Sequence, residues 1–234
     1  VRLDPKTHTA TTFAGTGEVG FAGDGGPAAQ AKFNSPFCCS LSPDGKSMVI
    51  ADLGNSRVRR IDLATQRIET IAGNGKRGIA DAGSPALTSP LNGPRAACVA
   101  KDGTVYIVQR EGNSLVALKD GKLQTVVNVA GKKGSAGDHG PAADAQLNGP
   151  KYVCMDGKGR VLILDTENHA IRAYDPTKQT LETVVGTLGK AGAKVAADWA
   201  GTQLKRPHGA RLGPDGKLYV SDSENGRILV GLAP

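Results

Sequence analysis

The chain has 234 residues, 39% of them apolar, with only nine aromatic rings (4 Phe, 4 Tyr, 1 Trp), 32 glycines, 13 prolines and a net charge of 29 − 22 = +7. That apolar share suits a packed core, and no run of about 18 apolar residues is present to cross a membrane as a helix. The cations lie in scattered pairs (Lys76-Arg77, Lys132-Lys133, Lys205-Arg206), and so few rings leave little for bases to stack on, which disfavours nucleic acid as a partner.

In chain order, Val1-Arg2-Leu3-Asp4-Pro5 and Thr11-Thr12-Phe13-Ala14-Gly15 read as the last two strands of a repeat unit. A glycine-rich connection follows, Gly15-Thr16-Gly17 to Gly23-Asp24-Gly25-Gly26-Pro27-Ala28-Ala29, with one helical turn expected to start at its proline. Pro36 opens the first complete unit: a strand over Phe37–Leu41, a Ser42-Pro43-Asp44-Gly45 turn, and a nearly all-apolar strand from Ser47 to Asp52. Asp52 and Asn55 suit a tight polar turn, because Asx side chains bond the backbone two residues on. Arg57–Ile61 is a third strand, and Arg67–Ile71 alternates as a half-exposed outer one.

The unit then recurs. Its asparagines fall at Asn55, Asn113, Asn168 and Asn225, spaced by 113 − 55 = 58, 168 − 113 = 55 and 225 − 168 = 57 residues. The units divide as 1–35 (partial), 36–93, 94–149, 150–206 and 207–234 (partial). Four antiparallel strands per unit, repeated, define an all-β fold: a β-propeller forming one domain over residues 1–234. The cysteines Cys38, Cys39, Cys98 and Cys154 fall on first strands and read as small buried hydrophobes, not as a disulfide scaffold or a zinc site.

The Asp-x-x-Asn turn, the Val58-Arg59 and Ile171-Arg172 strand starts, and the Gly-Asp-Gly-Gly-Pro-Ala loop together resemble the NHL-repeat family of β-propellers. The resemblance covers essentially the whole chain and implies a ring that usually has six blades. Both ends fall inside a blade, so further blades of a larger ring are expected. The alternatives are an N-terminal outer strand that completes the last blade, or two chains pairing into one ring. The family spans RNA-binding and protein-binding modules, scaffolds and a metal-assisted lyase, so fold alone assigns no role.

Glycine-rich stretches such as Gly73-Asn74-Gly75 recur once per blade and read as structural, not as phosphate loops. Asp52, Asp165 and Asp222 likewise read as turn chemistry, not calcium ligands, and the second blade places Gln109-Arg110 there. The resemblance sets the residue after each unit's proline (Phe37, Arg95, Lys151, His208) near the channel mouth, with Lys205-Arg206 beside it. Arg95, Lys151, His208 and Arg206 are therefore the candidate anion-binding set. No Ser-His-Asp constellation is recognisable, and His139 and His169 lie in turns where solvation is expected.

The function expected is a non-catalytic binding or assembly platform for a protein or anionic partner, with no cofactor and no catalytic or metal residue assigned. The alternatives are a calcium-dependent hydrolase, lactonase or lyase with its site in the channel, or an RNA-binding domain. The absence of an initial Met and the glycine-rich loops point to a processed, secreted or periplasmic bacterial setting.

Overall fold

A computed structural model describes residues 2–3 and 5–234. β1 (Arg2–Leu3) and β2 (Ala10–Thr11) pair as a short hairpin. The first blade is the meander β3 (Pro36–Leu41), β4 (Ser47–Asp52), β5 (Arg57–Asp62) and β6 (Ile68–Ala72). β7 (Ser84–Pro85) lies in the next connection and pairs with the outer edge of the second blade. That blade comprises β8 (Pro94–Val99), β9 (Val105–Gln109), β10 (Ser114–Lys119) and β11 (Lys122–Val127). The third is β12 (Tyr152–Met155), β13 (Val161–Asp165), β14 (Ala170–Asp175) and β15 (Thr180–Val185). The fourth has three strands, β16 (Gly209–Leu212), β17 (Lys217–Asp222) and β18 (Arg227–Leu232).

Every named strand pair is antiparallel, and the inner strands β3, β8, β12 and β16 neighbour one another in that order. Four blades therefore stand in a ring about a common axis, a four-blade β-propeller arrangement. The second strands of the two middle blades are apolar on both faces because blades lie on both sides of them: Ile107, Leu162, Ile163 and Leu164 are all fully buried. Separate apolar layers form between successive blades. Val58 and Val49 meet Ile107 and Val116, Tyr106 and Leu115 meet Val153 and Ile163, and Leu162 and Ile171 meet Leu218 and Val220. No helix among the described residues is long and apolar enough to cross a membrane.

Three expectations change. The N-terminal hairpin pairs with itself and leaves the fourth blade at three strands, so the first segment does not complete the last blade among the described residues. The helical turns are 3₁₀ and run Ala28–Gln30 and Ala142–Asp144, with Pro27 and Pro141 as the capping residues just before them. Cys39 is exposed and not buried, because it lies on the front face of the first blade, which no other blade covers. The remaining cysteines keep the expected character: Cys98 is buried, Cys38 and Cys154 are half-buried, and all four are free. Burial holds the Cys38 thiol up at about 11 and Cys154 at about 12, so neither is a reactive thiolate.

Candidate functional site

The repeated Asp…Asn pair is a structural rivet. Asp165 accepts the Asn148 backbone N–H (2.7 Å) and the Asn168 side-chain amide (2.8 Å), and Asn168 also donates to the Gly134 carbonyl (2.7 Å). Asp52 with Asn55, and Asp222 with Asn225, repeat the pattern. One carboxylate and one amide thus tie the tight turn, the loop before the proline and the glycine-rich connection together. In the second blade the Gln109 amide oxygen takes the Asn92 N–H, and Asn113 accepts from Gly149 (3.0 Å). No group of described residues gathers three His, Cys, Asp or Glu in a metal-holding arrangement.

Arg59 and Arg172 were read as strand residues, yet both are fully buried. Arg172 donates from Nε and Nη2 to Asp138 (3.0 and 2.7 Å) and from Nη1 to the Gln146 carbonyl (2.5 Å), and it stands 3.6 Å from Asp165. Arg59 does the same with Asp24, Lys32 and Asp52. The cue in the sequence is co-occurrence: the loops carrying Gly23-Asp24 and Gly137-Asp138 belong to the blades with Arg59 and Arg172. The second and fourth blades carry Val116 and Leu229 instead. Burial pushes the Asp165 carboxyl up to about 6, against its hydrogen bonds and the nearby guanidinium.

The inner strands of the first two blades are irregular at the expected channel mouth. Register shifts between Pro36 and Cys38, and between Pro94 and Ala96, so Phe37 and Arg95 occupy extra-residue positions. A bulge of this kind re-aims its side chain out of the pleat. Arg95 lies over the Phe37 ring, 3.5 Å from its centroid. Lys151, almost fully buried, places Nζ 2.8 Å from His208 Nε2 and 3.5 Å from Glu167. His208 Nδ1 lies 2.8 Å from the Arg206 carbonyl, which can only accept, so Nδ1 carries the proton and Nε2 accepts from Lys151. Burial, then the Lys151 charge, lowers His208 below its ordinary 6.5. Burial also lowers Lys151, with Glu167 opposing.

Lys151, His208 and Arg206 thus lie together and Arg95 lies by Phe37 and Arg110, but they do not form a bare positive funnel. Glutamates from the adjacent turns neutralise much of the charge: Glu111 pairs with Arg110 (3.0 Å), and Arg206 bridges Glu167 (2.7 Å) and Glu224 (2.6 Å). Counting Arg95, Arg110, Lys151, Lys205 and Arg206 against these three acids leaves 5 − 3 = +2, with His208 neutral. Arg95 is the exception among these cations. It makes no ion pair and no hydrogen bond among the described residues, and its Nε is buried without a partner. Burial, then the neighbouring Arg110 charge, lowers its pKa from the usual guanidinium range. His139 is exposed as expected, whereas His169 is half-buried with Nδ1 accepting the Arg206 N–H at 3.2 Å.

The blades define the molecule as a β-propeller. The NHL-repeat family model matches residues 204–230, spanning the inner strands of the fourth blade. Protein SUPPRESSOR OF QUENCHING 1, chloroplastic, from Arabidopsis thaliana is 28% identical over 97% of this chain and 22% of its own length. NHL repeat-containing protein 2 from Bos taurus is 29% identical over 54% of this chain and 18% of its own length. The chain thus spans about a fifth of the curated relatives it matches. The family-model match and the names of these relatives support an NHL-repeat β-propeller.

Among solved structures, a protein of unknown function from Bacteroides thetaiotaomicron aligns with TM-score 0.63 and 18% identity, covering 82% of this chain and 46% of that one. Virginiamycin B lyase from Staphylococcus aureus aligns with TM-score 0.52 and 15% identity, covering 85% and 56%. A gluconolactonase from Xanthomonas campestris aligns with TM-score 0.53 and 15% identity, covering 83% and 57%. These likenesses concern the fold.

Proposed function

We propose that the propeller is a non-catalytic binding platform that takes an anionic group of a protein partner, a carboxylate or phosphate, at the channel mouth. The observation that carries this reading is Arg95. Its guanidinium carbon lies 3.5 Å from the Phe37 ring centroid and the group makes no hydrogen bond or ion pair among the described residues, so a planar fork of donors is held over the ring and unspent. Such a fork suits bidentate contact with a carboxylate or phosphate, and its contact with the ring limits the rotamer entropy lost on binding. Lys151 and Arg110 supply the positive field behind it, and the net charge of +7 favours encounter with acidic surfaces.

Lys151 and Arg206 are better placed to shape the mouth than to bind, since both already hold glutamates. The test is a calorimetric titration of inorganic phosphate, and of an acidic peptide, into the purified chain and its variants. Arg95→Ala is expected to weaken binding about tenfold, roughly 1.4 kcal/mol, in the range for a hydrogen bond to a charged group. The double variant with Lys151→Ala should weaken it further. Arg60→Ala, removing an exposed cation already paired with Glu69, is the control. Unchanged affinity in Arg95→Ala would overturn the proposal.

A further inference from the structure

A cavity lies at the far end of the blades from the Asp–Asn turns. The inner strands run from their prolines at the mouth to Val99 and Met155 at the opposite end, where short turns lead into the second strands. Between those turns opens a cavity of about 470 Å³, within the size range of small-molecule sites. All four blades build it: Pro43 comes from the first, Ala100 and Tyr106 from the second, Met155 and Pro176 from the third and Leu212 from the fourth.

Two donors border this apolar lining and neither is spent. Tyr106 is 6% exposed, with its ring in the layer of Val153 and Ile163 and edge-on to Tyr174, centroids 6.2 Å apart. A phenol set so deeply usually finds a hydrogen-bond partner, yet the Tyr106 hydroxyl makes no hydrogen bond among the described residues. Burial, then the neighbouring Tyr174, holds the phenol up at about 12, so at neutral pH it keeps its proton to donate. Lys101, exposed at the rim, likewise has no ion pair and no hydrogen bond among the described residues. The other charged groups of the lining are engaged: Asp102 accepts from Thr104 (2.9 Å) and Lys119 (3.2 Å), and Lys158 donates to the Pro234 carbonyl (2.9 Å).

We infer that this cavity binds a small aromatic carboxylate, its ring against Tyr106 and Met155 and its carboxylate taking the Tyr106 hydroxyl and the Lys101 ammonium. The walls dictate the chemistry. A fully hydrated ion such as phosphate gains nothing from an apolar lining, so the ligand needs an apolar body. The Met155 thioether favours an aromatic one, because sulfur and ring attract each other at contact distance. Two unspent donors call for a head group that only accepts, and one ammonium among them calls for an anion. The site shares no residue with the cationic mouth.

The experiment is a calorimetric titration of 2-naphthoate into the full chain, from about 10 µM to 10 mM, bracketing micromolar to millimolar affinities. Saturable one-to-one binding is expected, with the uncharged 2-naphthamide at least about tenfold weaker. Tyr106→Phe keeps the ring in its layer and is expected to weaken naphthoate about tenfold, as for a hydrogen bond to a charged group. Lys101→Ala, at an exposed position outside the apolar layers, is expected to weaken it about threefold, as for a charge pair near solvent. Both variants should keep the parent's circular dichroism spectrum, and Arg95→Ala should bind naphthoate as the parent does. No saturable binding to the parent, equal affinity for naphthamide, or unchanged affinity in either Tyr106→Phe or Lys101→Ala overturns the inference. A loss in Arg95→Ala would place the carboxylate at the mouth and overturn it as well.

Discussion

Replacing Arg172 by leucine removes a fully buried cation and leaves its surroundings in place. Four hydrogen bonds disappear: two to Asp138, one to the Gln146 carbonyl and one to the Ala136 carbonyl at 3.3 Å. Asp165, itself 0% exposed, also loses its neighbouring charge at 3.6 Å. Breaking one side of a buried pair costs about 3–5 kcal/mol, because the orphaned groups keep their desolvation penalty. For a domain of this size that is a fall of roughly 6–20 °C in Tm, read by thermal unfolding at pH 7.5.

The loss should shrink toward pH 5. The Asp165 carboxyl sits at about 6, above its ordinary 3.8, so protonation favours the native state; that contribution is full below 3.8 and is lost as pH rises through about 6. Without Arg172 the carboxyl rises further and is neutral over more of the range, so acid should spare the variant more than the parent. Adding Asp138→Ala to Arg172→Leu should restore about half of the loss, since an apolar pair costs less than a broken ionic one; the second blade already holds Val116 at this register. An Arg172→Leu protein within about 1 kcal/mol of the parent would refute the view that these buried clips hold the glycine-rich connections to the blades.

Three further outcomes are expected. Phosphate affinity should rise about fivefold between pH 7.5 and 5.5 in the parent and not in His208→Asn, about 1 kcal/mol for one new charge pair near solvent. His208 faces Lys151, Glu167 and Arg206; its pKa is lowered in the free protein, so its folding contribution is lost as pH falls through 6.5, while an anion bound nearby restores the protonated form. A flat pH profile would count against it. Gly137→Ala should cost about 3 kcal/mol or more and Gly159→Ala about 1 kcal/mol in denaturant unfolding. Both have φ near +95°, but an added Cβ meets the Ala145 Cα at 2.5 Å only at Gly137, and equal losses would refute the steric part. Thermal midpoints in excess calcium and in EDTA should agree within about 1 °C, whereas a filled native site would add about 2.7 kcal/mol at 100 times its dissociation constant. A clear rise would show that Asp52, Asp165 and Asp222 have coordination capacity beyond their turns.

Blade count, strand order and the Asp–Asn rivet were legible because each is written several times over at a regular spacing. A turn such as Ser42–Gly45 between two apolar runs leaves little choice of local structure. Arg59 and Arg172 were not legible as buried, because a charged residue on a strand normally marks a solvated face. Only the aspartate some 35 residues earlier in each chain segment explains their burial. The cationic mouth was legible by position and not by balance. Glu111, Glu167 and Glu224 come from the turn after the second strand, and their pairing with Arg110, Lys151 and Arg206 depends on how neighbouring loops meet. Cys39 reads like Cys98 along the chain, and only the missing neighbour in front of it makes the difference.

The strictly sequential packing of the inner strands has a consequence for synthesis. Each meander is finished before the residues of the next have been made, and its one new apolar layer forms against a blade that already exists. Folding can therefore keep pace with the ribosome, adding one blade per roughly 57 residues and needing no partner from the far end of the chain. At every moment the growing end shows a single fresh apolar face, and the next blade to emerge is the element that shields it.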